Sequence, residues 1–200
     1  IRFYVLHVVL LPGLLGMAIT GFTKGRVAMP SKHPTPYERL PNVYEYFEDR
    51  IPADEIARTD WKGYLAAEQG AFDEVRREVF GKLAPRARVA SNRYFDGSPL
   101  DPARFPTDWN RSFVLEPAGA PVGAVVLLHG LTDSPYSMRG VARRYRDRGY
   151  VAVAIRLPGH GTVPAGLSDV YWEEWVAATG LAVREARRRA GPDKPLHIVG

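Results

Sequence analysis

The stretch from Gly123 to Arg139 (Gly-Ala-Val-Val-Leu-Leu-His-Gly-Leu-Thr-Asp-Ser-Pro-Tyr-Ser-Met-Arg) constrains the fold more than any other part of the chain. Ala124 to Leu128 is an unbroken run of small and branched apolar residues, the pattern of a strand buried on both faces of a parallel sheet. His129-Gly130 ends the run, a short polar turn follows, and apolar residues return at helical spacing at Met138, Val141, Ala142 and Tyr145. A strand, a glycine turn and a helix in succession present backbone N–H groups at the carboxyl edge of a sheet.

The rest of the chain after residue 110 repeats this alternation. Tyr150–Ile155 and Pro195–Gly200 read as strands. Between them Trp172, Trp175, Val176, Thr179, Ala182, Val183, Ala186 and Ala190 hold one helical face until Gly191-Pro192 stops it. This order predicts right-handed crossovers and a mostly parallel, doubly wound α/β sheet. Ser112–Glu116 is a short leading strand, and the tight Pro117–Gly123 connection predicts that it pairs antiparallel with the buried strand.

Two segments precede that region. Residues 1–24 contain a nearly uncharged run, Phe3 to Phe22, whose twenty residues would span about 30 Å as a helix, the thickness of a bilayer core. It reads as a hydrophobic N-terminal membrane anchor, with a cleaved signal peptide or a buried core helix as alternatives. Basic residues on both sides, Arg2 and then Lys24, Arg26 and Lys32, leave its orientation open. The corresponding location is the bacterial inner membrane, or outside the cell after signal cleavage.

Residues 25–110 form a helical and irregular extension. Met29–Pro36 is a proline-rich linker, and Tyr37, Leu40, Val43, Tyr44 and Phe47 recur at helical spacing. Asp60 has the chemistry of an N-cap. The helix it opens would bury Trp61, Tyr64, Leu65, Phe72, Val75, Val79 and Leu83 and turn Glu68, Arg76 and Arg77 outward, with a bend or break at Gly63 or Gly70. From Pro85 to Asn110 the prolines and Asp96-Gly97 predict turns.

The ordered set His129-Gly130-Leu131-Thr132, Tyr150–Ile155, Arg156-Leu-Pro-Gly-His160-Gly161 and Pro195–Gly200 resembles the α/β-hydrolase family, in its monoacylglycerol-lipase, lysophospholipase and serine-aminopeptidase-like branch. The resemblance covers about residues 113–200 and implies an α/β-hydrolase fold. It makes the turn after the first buried strand half of an oxyanion hole, with the Leu131 backbone N–H as donor and His129, Gly130 and Thr132 supporting it. In the family a Gly-x-Ser-x-Gly elbow carries the nucleophile on a strained strand-to-helix turn. Gly200 matches the first glycine of that elbow. The nucleophile, acid and base are therefore expected beyond the end of this sequence, residues 111–200 as the first half of the domain, and these 200 residues alone as inert.

The activity so implied is hydrolysis of carboxylic esters, of acylglycerol or lysophospholipid type, through an acyl-enzyme. A same-fold peptidase, an aspartate-nucleophile dehalogenase or a non-catalytic hydrolase-like binding protein are the alternatives. The expected partners are a small-molecule or lipid ester and, through residues 3–22, a membrane.

Other candidates read more plainly. His129 is a structural residue of the turn and His160 a shaper of its loop. Ser134 and Ser137 are caps for the following helix, Asp133 orders the turn, and Asp147 and Glu185 are surface positions. There is no cysteine, no His-x-x-x-His, no paired carboxylate motif and no glycine-rich phosphate loop, so neither a metal nor a cofactor is expected. The net charge is +5. Its excess lies in Arg143, Arg144, Arg146 and Arg148 and in Arg184, Arg187, Arg188 and Arg189, read as solvated helix faces with a weak attraction to anionic lipid rather than as a nucleic-acid site.

Overall fold

The computed structural model describes residue 49, residues 51–168 and residues 170–200. The apolar run 3–22, the proline-rich linker and the helical spacing from Tyr37 to Phe47 lie outside the described residues. Apart from Gly200, the described residues belong to one compact unit, Leu40–Val199.

The sheet has four strands: β1 (Phe113–Leu115), β2 (Gly123–Leu127), β3 (Tyr150–Ala154) and β4 (Leu196–Val199), in the spatial order β1-β3-β2-β4. β2 pairs parallel with both β3 and β4, in registers that set Leu127 opposite Ala154 on one side and Val199 on the other. As the unbroken apolar run predicts, every residue of β2 is buried. Burying a Val or Leu side chain stabilises by roughly 1.5–3 kcal/mol, so this strand carries a large share of the core.

β1 is antiparallel but does not pair with β2; its partner is β3, with Phe113 opposite Ala154. The Pro117–Gly123 connection had suggested a hairpin. Instead the crossover from β2 returns its next strand, β3, to the flank a hairpin would have used, and β1 covers the outer edge of β3.

Alternation along the strands sends residues to two different layers. Ala124, Val126, Val151, Val153 and Ile155 pack with Ala178, Leu181, Ala182 and Ala186 of α4 (Trp172–Ala190) and with Ile56, Trp61 and Tyr64 of the extension. Val125, Leu127, Ala152 and Ala154 face the other way, onto Ala142, Val141 and Met138 in and before α3 (Arg139–Arg146). Alanines on both sides of that second interface let α3 lie close to the sheet. α4 ends where expected, at Gly191, whose φ is 103°.

The extension begins with α1 (Ala53–Arg58) and α2 (Trp61–Glu74). Asp60 caps α2, accepting from the Gly63 N–H at 2.8 Å. No break occurs at Gly63 or Gly70. The change comes later, where Val75–Phe80 continues as a wider π-helical turn and the Gly81 N–H reaches back to the Arg76 carbonyl at 3.1 Å. Val75 and Val79 still point inward, and Leu83 is buried. Beyond it the chain runs in turns and short 3-10 segments to residue 110, as its prolines predict.

Two charged side chains expected at the surface are buried. Glu68 lies one helical turn from Tyr64 and from Phe72, so it faces inward with them, and it is 2% exposed. Glu185 is also buried, bonded to Arg188 at 2.7 and 2.8 Å and to Arg189 at 2.5 Å. In both places periodicity pointed inward and charge pointed outward. Periodicity prevailed because arginines satisfy the carboxylates, Arg156 from a distant loop for Glu68 and Arg188 and Arg189 from the next turn of the same helix for Glu185.

Candidate active site

The loops leaving β2 and β3 diverge at the carboxyl edge of the sheet, because α3 and α4 lie on opposite faces. Such a divergence between neighbouring parallel strands opens a crevice, the usual binding place of an open α/β sheet. Here it is a cavity of about 340 Å³. Thr132, Asp133, Ser134 and Tyr136 line one side, the segment from Gly159 to Pro164 the other, and Arg93, Tyr94 and Asn110 of the extension complete it. A second cavity of about 250 Å³ shares Arg93, Tyr94, Gly161 and Thr162 with the first and reaches the aromatic side chains of Phe72 and Phe80. Sequence reasoning had no signal for this contribution from residues 72–110, since nothing in the local pattern tells which face those turns cover.

The turn after β2 is built from the backbone outward. The Leu128 N–H donates to the Val199 carbonyl at 2.8 Å, which ties the end of β2 to the tip of β4. The Asp133 N–H then donates to the Gly130 carbonyl at 3.2 Å, closing a four-residue turn. Thr132 has φ 66° and is the only non-glycine residue with positive φ among the described residues. Positive φ at the third position alone is the signature of a type II turn, which normally takes glycine there. A β-branched residue in that conformation is strained, and strain of this kind gathers at functional sites. The Leu131 N–H, at the second position, donates to no acceptor among the described residues, and the Leu131 side chain is 54% exposed.

Asp133 does order the turn: its carboxylate accepts from the Ser134 N–H at 2.7 Å. Ser134 and Ser137 do not cap α3 with their hydroxyls. Ser134 Oγ instead donates to Asn110 Oδ1 at 3.0 Å, and Ser137 Oγ to the Ser134 carbonyl at 3.2 Å. Pro135–Met138 winds as a 3-10 turn ahead of α3, so both serines sit too early to reach its first amides.

His129 is buried, and it joins the two loops. Its Nε2 accepts from the Leu157 N–H at 3.1 Å, while Nδ1 lies 3.0 Å from the Gly130 carbonyl. An acceptor at Nε2 requires the proton on Nδ1, so the neutral ring satisfies both contacts. Burial pushes its pKa down to about 4, and the neighbouring His160 ring adds to the effect. His160 is likewise buried, with Nδ1 3.0 Å from the Pro158 carbonyl, its ring 4.8 Å from that of His129 and its pKa lowered by burial. Gly159 and Gly161 flank it with φ 80° and 76°. A Cβ on Gly161 would lie 2.8 Å from the Asn110 carbonyl, so the Pro-Gly-His-Gly loop needs its glycines both for dihedral and for space.

Beneath this loop lies a charged network that sequence reasoning missed. Arg156 is fully buried: Nη1 donates to Asp49 Oδ2 at 2.7 Å and to the His160 carbonyl at 2.8 Å, and Nε to Glu68 Oε1 at 3.1 Å. Glu68 also accepts from the Ser112 N–H and hydroxyl, and the Tyr64 hydroxyl donates to the Arg156 carbonyl at 2.5 Å. Asp49 further accepts from Thr162 Oγ1 at 2.5 Å. Burial acts to lower the Arg156 pKa, but Asp49, Tyr64 and Glu68 outweigh it and leave it raised. Burial also drives the Tyr64 phenol well above its ordinary range. The network fastens the loop after β3 to the extension. An arginine directly after an apolar strand was a visible oddity in the sequence, though its partners, about ninety and a hundred residues away, were not.

Among the described residues no serine hydroxyl is hydrogen-bonded to a histidine, and no cluster of His, Asp or Glu is arranged to hold a metal. None of the described helices is long and apolar enough to cross a membrane, and residues 3–22 are not among them.

No protein-family model matches the chain. A thermostable monoacylglycerol lipase of Bacillus sp. (strain H-257) is 43% identical over 58 residues, which are 29% of this chain and 23% of that protein. The match thus spans about a quarter of the relative's length. A solved structure described under "LipS and LipT, two metagenome-derived lipolytic enzymes" aligns with 29% identity over 45% of this chain and 34% of its own, at a TM-score of 0.40. The parallel sheet, the turn that leaves β2 beside the tip of β4 and the 43% identical segment agree on one relationship: this chain is related to the α/β-hydrolases.

Proposed function

We propose that the protein is a serine hydrolase of carboxylic esters, of acylglycerol or lysophospholipid type, that works through an acyl-enzyme. The observation that carries this reading is the Leu131 N–H, which donates to no acceptor among the described residues, on a strained turn beside the cavity and next to the strand tip where an attacking group would stand. In this reading the tetrahedral oxyanion accepts from that amide. His129 and Gly130 hold the turn to the loop after β3, and Thr132 sets its direction. An N–H fixed by backbone stabilises developing charge without reorganising at the moment of reaction. In this reading a serine attacks, a histidine takes its proton and an acid orients the histidine. The curated relative is a monoacylglycerol lipase, which favours lipid esters over other acyl compounds. We further propose that residues 3–22 tether the protein to a bacterial inner membrane.

The test is to treat the full-length protein with a fluorophosphonate probe and to assay soluble short-chain esters beside dispersed monoacylglycerol and lysophospholipid. Covalent labelling at a serine with turnover of at least one ester class is the expected result. Labelling absent and all esters untouched would overturn the assignment, and labelling with peptide turnover alone would move it to the peptidases.

A further inference from the structure

The outer surface of α3 continues the cavity rim as one stripe. Tyr136, Gly140, Arg143, Arg144 and Asp147 are all exposed and recur at helical spacing from the turn outward. Next to them the Arg139 guanidinium lies 3.6 Å from the centre of the Tyr136 ring, and that of Arg143 lies 5.4 Å from Trp109. Among the described residues, Arg139, Arg143 and Arg144 pair with no carboxylate. Of the two acids nearby, Asp147 is engaged by Arg146 at 2.7 Å and Asp133 is turned onto the Ser134 N–H. Exposed arginines elsewhere are mixed: Arg58, Arg77 and Arg188 each have a carboxylate partner, whereas Arg88 and Arg184 donate to backbone carbonyls. At the end of the stripe that borders the cavity, Leu131 and Tyr136 stand 54% and 49% exposed.

We infer that this face docks on an anionic lipid surface, with the α3 arginines on the phosphate headgroups and Leu131 and Tyr136 entering the interface beside the cavity mouth. Guanidiniums with no carboxylate partner bind phosphate oxygens strongly, and each basic side chain near an anionic bilayer strengthens attachment about fivefold. A nucleic acid would also meet the arginines. It has no use for an exposed leucine at the end of the row, whereas the interfacial zone of a bilayer takes both kinds of side chain. The apolar run 3–22 of the same chain is a second, independent feature of lipid-directed composition. The inference concerns attachment and does not depend on the hydrolytic reading.

The experiment lets full-length protein distribute between phosphatidylcholine vesicles and vesicles containing about a third phosphatidylglycerol, mixed in one suspension and then separated by density. Any contribution from inserted apolar sequence is common to both populations and cancels in the ratio. The wild type should favour the anionic vesicles on the order of a hundredfold at low salt, and the preference should collapse at high salt. The variant R139Q/R143Q/R144Q should bring the ratio close to one, while R58Q/R77Q/R188Q, with the same change in net charge, should leave most of it. Circular dichroism and thermal unfolding check that both variants are folded. An even wild-type distribution, or an equal loss in the two variants, overturns the proposal. So does duplex DNA that removes wild-type protein from the anionic vesicles at sub-stoichiometric phosphate. Lost ester turnover in the wild type with the lipid preference intact would sink the hydrolase reading and leave this one standing.

Discussion

Replacing Arg156 with leucine should be among the most damaging single changes in the described region. The side chain is fully buried, and it donates to two carboxylates that are themselves 3% and 2% exposed, Asp49 and Glu68. Removing the cation leaves those two charges facing each other in low dielectric, and it strips the His160 carbonyl of a donor. Breaking a buried ion pair by deleting one partner costs roughly 3–5 kcal/mol, mostly the penalty of the charge left behind. Arg156→Leu should therefore lose about that much stability in urea unfolding followed by tryptophan fluorescence. The triple variant Arg156→Leu, Asp49→Asn, Glu68→Gln removes the stranded charges while keeping acceptors for Thr162 and Ser112, and it should recover at least half of the loss. A cost of less than about 1 kcal/mol for Arg156→Leu would refute the reasoning, as would a triple variant no more stable than the single one. The first result would mean that the network is neutral to folding, the second that the damage is lost packing rather than uncompensated charge.

Proline is well suited to the second position of a type II turn, so Leu131→Pro removes the N–H with little harm to the turn. It should lower ester turnover by about 10²–10³-fold, the usual effect of deleting one oxyanion donor. Leu131→Phe should largely preserve activity, and equal losses in the two variants would argue against a backbone donor. Thr132→Asn should raise stability by about 1 kcal/mol in the same unfolding assay, because asparagine tolerates the left-handed conformation. No gain would mean that the turn is unstrained. His129 is held neutral in the fold with its pKa pushed down to about 4, against about 6.5 in an unfolded chain, so between those values the unfolded state binds more protons. Its stabilising contribution is whole above about pH 6.5 and is lost as the pH falls toward 4, by about 3 kcal/mol. His129→Gln should flatten that acid limb, and an unchanged slope would show that other groups govern it.

The legible parts of this protein were those where periodicity and composition agree. The all-apolar run of β2, the helical face ending at Gly191 and the Asp60 cap each name their own environment, since a strand covered on both faces has no polar position to offer. The turn after β2 could be located from His129-Gly130 alone, and resemblance supplied a role for its amide. The pairing of β1 could not be read. Hairpin and edge-strand pairings look alike in sequence, and the choice turned on where the crossover returned β3.

What the chain determines by itself is local: which residues form strands, which form helices and where each stops, because backbone sterics and apolar spacing act over a few neighbours. What only the tertiary structure decided is which charges are buried and what faces the crevice. Glu68 reads as a surface residue until Arg156, 88 positions later, meets it in the interior. The cavity wall from Arg93 to Asn110 exists only because the extension folds back over the loop after β3. Electrostatic pairing depends on distance in space, not along the chain, so those decisions wait for the whole fold.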